Sequence, residues 1–298
     1  MMGRVILLFC FTLFGCQPPE EEGFIYGNVV QVSNGFRFSC GLNDEGFAWC
    51  SGTVGQWDAT PPIQFTQIEA GTYDGCGVDI NGWVWCWRPD TDPIGPLDLG
   101  DVVDIELAIS HVWALRSDGL VSWSPTVGVW GYPYSLPDRD QAFSKISCSD
   151  WICCGIKAGE GTIDCWGTSI VEFPDIVDAV DIRAGMTYAC VTLSDGSYDC
   201  RTSKEPDYYP RVSVPADQFD AVYPFSSGLL GVEDGRWVAA WYTHDPGVWV
   251  EPNGDVLPFQ YDDFDSQEKL CGIRRGEGVP DCVPKFEHFD TWYTPEPR

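Results

Sequence analysis

Residues 76–86 read CGVDINGWVWC: two cysteines ten positions apart, an Asn-Gly between them, and Trp83, Trp85 and Trp87 alternating with Val84 and Cys86. A period of two is that of a strand, and Asn-Gly between such runs signals a hairpin. The outline recurs in CGLNDEGFAWC (Cys40–Cys50), WALRSDGLVSW (Trp113–Trp123), CGIKAGEGTIDC (Cys154–Cys165), CVTLSDGSYDC (Cys190–Cys200), LLGVEDGRWVA (Leu229–Ala239) and CGIRRGEGVPDC (Cys271–Cys282). Seven copies thus start 36 to 42 residues apart. Five have an apolar residue eight positions upstream and a small one five upstream: Val32 with Gly35, Ile68 with Gly71, Ile105 with Ala108, Ile146 with Ser149, and Ile182 with Gly185. A repeat of this length, with a hairpin and a third short strand upstream, is a propeller-blade pattern rather than a helical solenoid.

Loop length decides what the cysteines do. In the short copies, opposed residues centre on Glu45, Asn81 or Asp195, leaving a three-residue loop that ends in Gly46, Gly82 or Gly196. Glycine supplies the positive φ which that turn requires. Two copies carry one more loop residue, ending in Gly161 and Gly278, and their cysteine spacing grows from ten to eleven. The covariation keeps the cysteines directly opposite, which a zinc site or a CxxC redox motif would not need. If Asn43 and Phe47 form a hydrogen-bonded pair, Cys40 and Cys50 form a non-hydrogen-bonded one, with Cα atoms about 4.5 Å apart and within disulfide reach. The expected bonds are Cys40–Cys50, Cys76–Cys86, Cys154–Cys165, Cys190–Cys200 and Cys271–Cys282. Cys148 and Cys153 form the sixth pair by elimination, since adjacent Cys153 and Cys154 face opposite ways; the alternative is a vicinal redox pair at Cys153 and Cys154. In the third copy Trp113 and Trp123 replace the cysteines, predicting an aromatic cross-strand contact. Leu229 and Ala239 take those places in the sixth, predicting the least tightly stapled hairpin.

The 298 residues are 44% hydrophobic and 21% charged, enough for a substantial core. Acidic residues outnumber basic ones 45 to 17 for a net charge of −28, a field that repels nucleic acid and anionic lipid. Arg4 followed by the apolar run from Val5 to Phe14 suits a signal-peptide core and is too short to span a bilayer. Leu13-Phe14-Gly15-Cys16 resembles the lipobox of bacterial lipoproteins, which implies lipidation at Cys16; an ordinary secretory signal is the alternative. Residues 1–15 are then the signal, 16–23 a lipidated tether, and 24–298 one seven-bladed domain. Gln17 favours the outer membrane or cell surface by the lipoprotein sorting rule. Export places the cysteines where thiols oxidise.

The pattern apolar-x-x-small-x4-Cys-x-apolar-x-x-Asp-Gly-x3-Cys-Trp-Gly, clearest from Ile146 to Gly167 and from Ile182 to Cys200, resembles the regulator of chromosome condensation repeat family. Its short-repeat bacterial members are the nearer likeness. The resemblance implies an all-β, seven-bladed β-propeller with blades of about 36 to 42 residues. It also implies closure of the ring by terminal strands, for which residues 24–32 and 286–293 are the candidates. Propellers of this kind bind varied partners through variable loops, so fold alone does not assign function.

No phosphate-cradling glycine loop, GxSxG elbow or HExxH occurs, and His111, His244 and His288 lie far apart in sequence. We therefore expect no catalytic residue, cofactor or metal site. His111 is read as a structural hydrogen-bonding residue, and Asp90, Asp92 and the run from Asp262 to Glu268 as solvated loop charge rather than calcium ligands. Trp83, Trp85 and Trp87 are expected to fill the space between blades. Binding is expected from aromatics between the hairpins, namely Trp57, Trp130, Tyr132, Tyr134, Tyr208, Tyr209 and Trp249. The expected function is a lipid-anchored, extracytoplasmic scaffold that binds a protein partner without catalysis. The alternatives are a lectin-like propeller and a secreted hydrolase with an acidic site.

Overall fold

The computed structural model describes residues 28–35, 38–52, 60–88, 91–109, 111–126, 135–168, 170–186, 188–202, 211–225, 228–234, 236–242, 249–250, 261–265, 270–274 and 280–283, the side chains being described at all of these except 51, 52, 225 and 235 onward. Among these residues no helix occurs, and the strands form seven antiparallel sheets of three or four strands, each built from consecutive strands. The first strands are Val29–Asn34, Phe65–Ala70, Val102–Ala108, Phe143–Cys148, Ala179–Ala184, Ala221–Phe225 and Tyr261–Asp265.

The first six sheets touch in succession through their first and second strands, so they converge there and splay outward. Tyr261–Asp265 and Leu270–Arg274 of the last sheet pack on Val29–Asn34 of the first, which bends the series into a ring: a β-propeller. The family resemblance had offered residues 24–32 as a closing strand. Instead Val29–Asn34 is the first strand of its own sheet, paired with Phe38–Asn43; residues 286–293 lie outside the described residues.

Apolar cores sit between adjacent sheets, not within a single centre. Phe38, Phe65, Ile68 and Trp87 fill the space between the first two sheets, and Trp113, Phe143, Ile146 and Trp166 that between the third and fourth. The second strand Gly75–Asp79 lies between two such cores and is buried throughout. Packing couples residues twelve apart: a Cβ on Gly77 would lie 2.5 Å from the Phe65 ring, and one on Gly155 equally close to Phe143. Where Ala179 replaces the aromatic, Val191 replaces the glycine, which conserves volume.

The hairpins follow the spacing rule. Asn43 N–H donates to Phe47 O at 3.0 Å and Asp79 N–H to Trp83 O at 2.8 Å, with Gly46 and Gly82 at φ 87° and 83°. The second and third strands bring Cys40 opposite Cys50, Cys76 opposite Cys86, Cys154 opposite Cys165 and Cys190 opposite Cys200, and each pair is joined with Cα atoms 4.0 to 4.1 Å apart. Cys148 is bonded to Cys153 across the turn between first and second strands. Cys271 lies opposite Cys282, their side chains being outside the described residues. Trp113 stands opposite Trp123 with ring centroids 6.1 Å apart.

The sixth hairpin departs from expectation. Leu229 faces Trp241, not Ala239. Its closing pair Glu233 and Arg236 encloses only two residues, with Asp234 at φ 47°, and a register shift next to Gly231 takes up the difference.

The first strands carry a second repeated device. Their free edges lack a partner strand among the described residues, a liability in any sheet, and polar side chains of the preceding sheet cover five of them. Gln31 donates to Ile68 O and accepts from Ile68 N–H; Gln67 donates to Asp104; Glu106 accepts from Cys148 N–H; Ser147 accepts from Ala184 N–H; Arg183 donates to Val222 O.

Candidate functional site

The ring has two rims. On one, the turns between first and second strands crowd together. A Cβ on Gly35 would overlap the Gly71 carbonyl oxygen, Ser149 donates to Gly185 O, and Thr72 of the second sheet donates to Asp150 of the fourth. That last contact reaches past the third sheet, so this end is narrow, and the small residue five positions before five of the repeats permits the approach. Its charges are engaged: Arg88 binds Asp74 at 2.5 and 2.8 Å, and Arg201 and Arg211 both bind the buried Asp199. Burial pushes the Asp74 and Asp150 carboxyls above the usual carboxylate range, with Arg88 and Thr72 respectively opposing. Asp104 is raised for the same reason.

The opposite rim carries the hairpins between second and third strands together with the starts of the first strands. Hairpin and next sheet are sewn together there: Phe65 N–H donates to Gly46 O, Phe143 N–H to Gly119 O and Ala179 N–H to Gly161 O. A bulge between the first and third residues of six first strands turns the intervening residue outward. Val30, Val103 and Val180 are thereby exposed. Phe47, Ile80 and Trp83 on the hairpins, and Val177 beside the fourth, are exposed as well. Most of the exposed large apolar residues described are on this rim.

Between the first two hairpins lies a groove of 410 Å³ lined by Phe47, Pro62, Ile80, Trp85 and the Gln64 and Asp79 side chains, among others. Its walls are fixed by main-chain and side-chain bonds. Gln64 Nε2 donates to Glu45 O at 2.8 Å, Ile80 N–H donates to Gln64 O at 3.2 Å, and Trp85 Nε1 donates to Asp79 Oδ2 at 3.1 Å. Asp79 Oδ1 also accepts from Asn81 and Trp83 N–H, so this carboxylate shapes the hairpin.

The three tryptophans of the opening stretch separate. Trp87 is fully buried between sheets, as read from the sequence, and donates to Cys50 Sγ. Trp85 is partly buried against the same inter-sheet core, as expected, and also lines the groove. Trp83 is 41% exposed and is not inter-blade filling; its place beyond the edge of the strand Val84–Trp87 puts it on the rim. Of the aromatics expected to bind, Trp57, Trp130, Tyr132, Tyr134, Tyr208 and Tyr209 lie outside the described residues, and Trp249 is described only as backbone of the strand Trp249–Val250. Phe47 and Ile80 were missed. The signal available was an apolar residue within a turn otherwise composed of Asp, Glu, Asn and Gly.

His111 is buried beside Trp113 and Trp123, with ring centroids 6.2 and 5.2 Å away, and burial lowers its pKa. His244 and His288 lie outside the described residues, as do Asp90 and the side chains from Asp262 to Glu268; Asp92 is exposed. Among the described residues no group of three His, Cys, Asp or Glu side chains could hold a metal ion.

These features define a disulfide-stapled propeller with a self-satisfied narrow rim and an open apolar one. No family model matches the chain. Solved structures share the fold. The ectodomain of the Physcomitrella patens receptor kinase CR4 superposes with a TM-score of 0.68 at 18% identity, over 87% of this chain and 74% of that one. The CRINKLY WD40 ectodomain of the Arabidopsis thaliana receptor kinase ACR4 gives 0.65 at 19%, over 87% and 99%. Prp20p of Saccharomyces cerevisiae, the yeast RCC1, gives 0.55 at 12%, over 89% and 84%. The fold is thus RCC1-like.

Proposed function

We propose that this chain is a seven-bladed, extracytoplasmic propeller, anchored through lipid on Cys16, that binds another protein through its hairpin rim and performs no chemistry. The observation that carries the reading is the collection of Val30, Phe47, Ile80, Trp83, Val103, Val177 and Val180 on one rim. Exposed apolar side chains gathered in this way mark association surfaces. Five described disulfides support an oxidising compartment. Prp20p, of the same fold, has described binding to Gsp1p and histones, and protein binding by rims and loops is a use this scaffold permits.

Against an enzyme stands the engagement of the buried acids: Asp74 with Arg88, Asp150 with Thr72 and Asp199 with two arginines hold structure together. The test is co-purification from cell envelopes with wild type, Phe47→Asp with Ile80→Asp, and Arg88→Gln on the other rim. A protein recovered by wild type and Arg88→Gln but lost with the double variant supports the reading. Recovery of none, alongside saturable binding on a glycan array, replaces it with the lectin. A Cys16→Ser variant that still takes up labelled fatty acid refutes the anchor.

A further inference from the structure

We infer that the groove between the first two hairpins is the anchor site of the rim and accepts a short segment of a partner protein in which an aliphatic or aromatic side chain is flanked by Lys or Arg. The inference rests on the protein-binding reading above and adds the place and chemistry of the contact.

Three observations select this occupant. The first is shape: 410 Å³ is within the size range of pockets that take compact ligands, and Phe47, Pro62, Ile80 and Trp85 supply the apolar half of its wall while Gln64, Asp79 and Asn81 supply the polar half. Ile80 is 63% exposed although its neighbour Asp79 is buried. The second is rigidity. Both hairpins are closed by disulfides, Cys40–Cys50 and Cys76–Cys86, and are joined through Gln64 and Phe65 N–H. A preformed site loses little conformational freedom when an anchor enters.

The third is charge. Asp44 and Glu45 are exposed in the same turn as Phe47, Asp44 accepting from Asn28 Nδ2 at 3.2 Å. Among the described residues of the first two sheets the one basic side chain is Arg88, which is held by Asp74 at the opposite rim. No described ion pair involves Asp44, Glu45 or Asp79. With a chain net charge of −28 behind it, the turn attracts a basic segment and repels an acidic one. Gln64 and Asn81 at the groove supply amide groups that can pair with the main chain of such a segment.

The experiment selects random twelve-residue peptides displayed on phage against the immobilised full-length protein, then measures synthetic versions by fluorescence anisotropy. Enriched peptides are expected to carry an apolar anchor with neighbouring Lys or Arg. Ile80→Asp should weaken them about thirtyfold, the loss typical of a buried hot-spot contact. Asp44→Lys with Glu45→Lys should weaken them about fivefold and flatten the dependence on salt. Leu136→Asp, exposed and outside the hairpin rim, should change affinity less than about twofold, and matching thermal midpoints establish that all variants fold. Enrichment of acidic peptides, or unchanged affinity in the lysine variant, overturns the charge assignment and with it the proposal. Loss with Val180→Asp but not with Ile80→Asp overturns the groove while leaving the rim as a protein-binding surface. Absence of any peptide or protein binding to wild type overturns both.

Discussion

The narrow rim and the hairpin rim are made by the same repeat, yet they handle polar and apolar groups in opposite ways. At the narrow rim Gly35, Gly71, Ser149 and Gly185 let turns of different sheets meet, and arginines hold the carboxylates of Asp74 and Asp199. At the hairpin rim a bulge pushes Val103 and Val180 into solvent, and the turn acids Asp44 and Glu45 face no described cation. One rim has used its side chains to close the ring; the other leaves them exposed.

Substitutions at the narrow rim should therefore cost most. Gly35→Val places atoms on the Gly71 carbonyl, and because the neighbour is main chain the loss should reach about 4 kcal/mol, seen as a lower urea midpoint. Arg201→Ala removes the better-buried partner of Asp199, which is 2% exposed, and should cost about 3 kcal/mol by calorimetry. Arg211→Ala, with Arg211 half exposed, should cost about 1 kcal/mol or less. Equal effects of the two arginines would dissolve the contrast between buried and surface pairing.

The pH response sharpens the same comparison. Asp74, Asp104 and Asp150 have carboxyls raised by burial, so the folded chain holds those protons more tightly than the unfolded one. Their contribution is complete below the unfolded carboxylate value and lost as pH rises through their folded values. The melting temperature should thus rise as pH falls through those folded values towards the ordinary carboxylate value, and Asp150→Asn should flatten part of the rise. Asp175 and Asp195, held below the usual range mainly by hydrogen bonds from Arg201 and Ser197 respectively, act in the opposite sense and lose their contribution only at lower pH. A melting temperature that falls steadily from neutrality would refute the assignment. The smallest effect belongs to the other rim: Val180→Asp should stay within about 0.5 kcal/mol of wild type in the same urea titration.

What could be read from sequence was whatever the hairpin turn determines locally. The pairing of Asn43 with Phe47 and the placing of Trp113 opposite Trp123 follow from counting residues outward from a glycine of positive φ. The same counting misplaced Leu229, because Asp234 allows a two-residue turn and a bulge near Gly231 restores the register. A period of two says that Trp83, Trp85 and Trp87 share a face, but not where that face runs out at the rim, so the exposure of Trp83 was not legible. The small residues Gly35, Gly71 and Gly185 were visible as a pattern, whereas their cause is contact between sheets about 36 residues apart or more. Likewise the groove joins Phe47 to Ile80, from two different copies, and no single copy contains it.

The polar side chains that cover the first-strand edges all reach the same way, from each sheet to its successor: Gln31 to Ile68, Gln67 to Ile105, Glu106 to Cys148, Ser147 to Ala184 and Arg183 to Val222. In each of these five contacts the residue that reaches across precedes in sequence the strand whose edge it covers. The molecule is in that sense a template for itself. An edge that could otherwise recruit a strand of another copy is occupied from within.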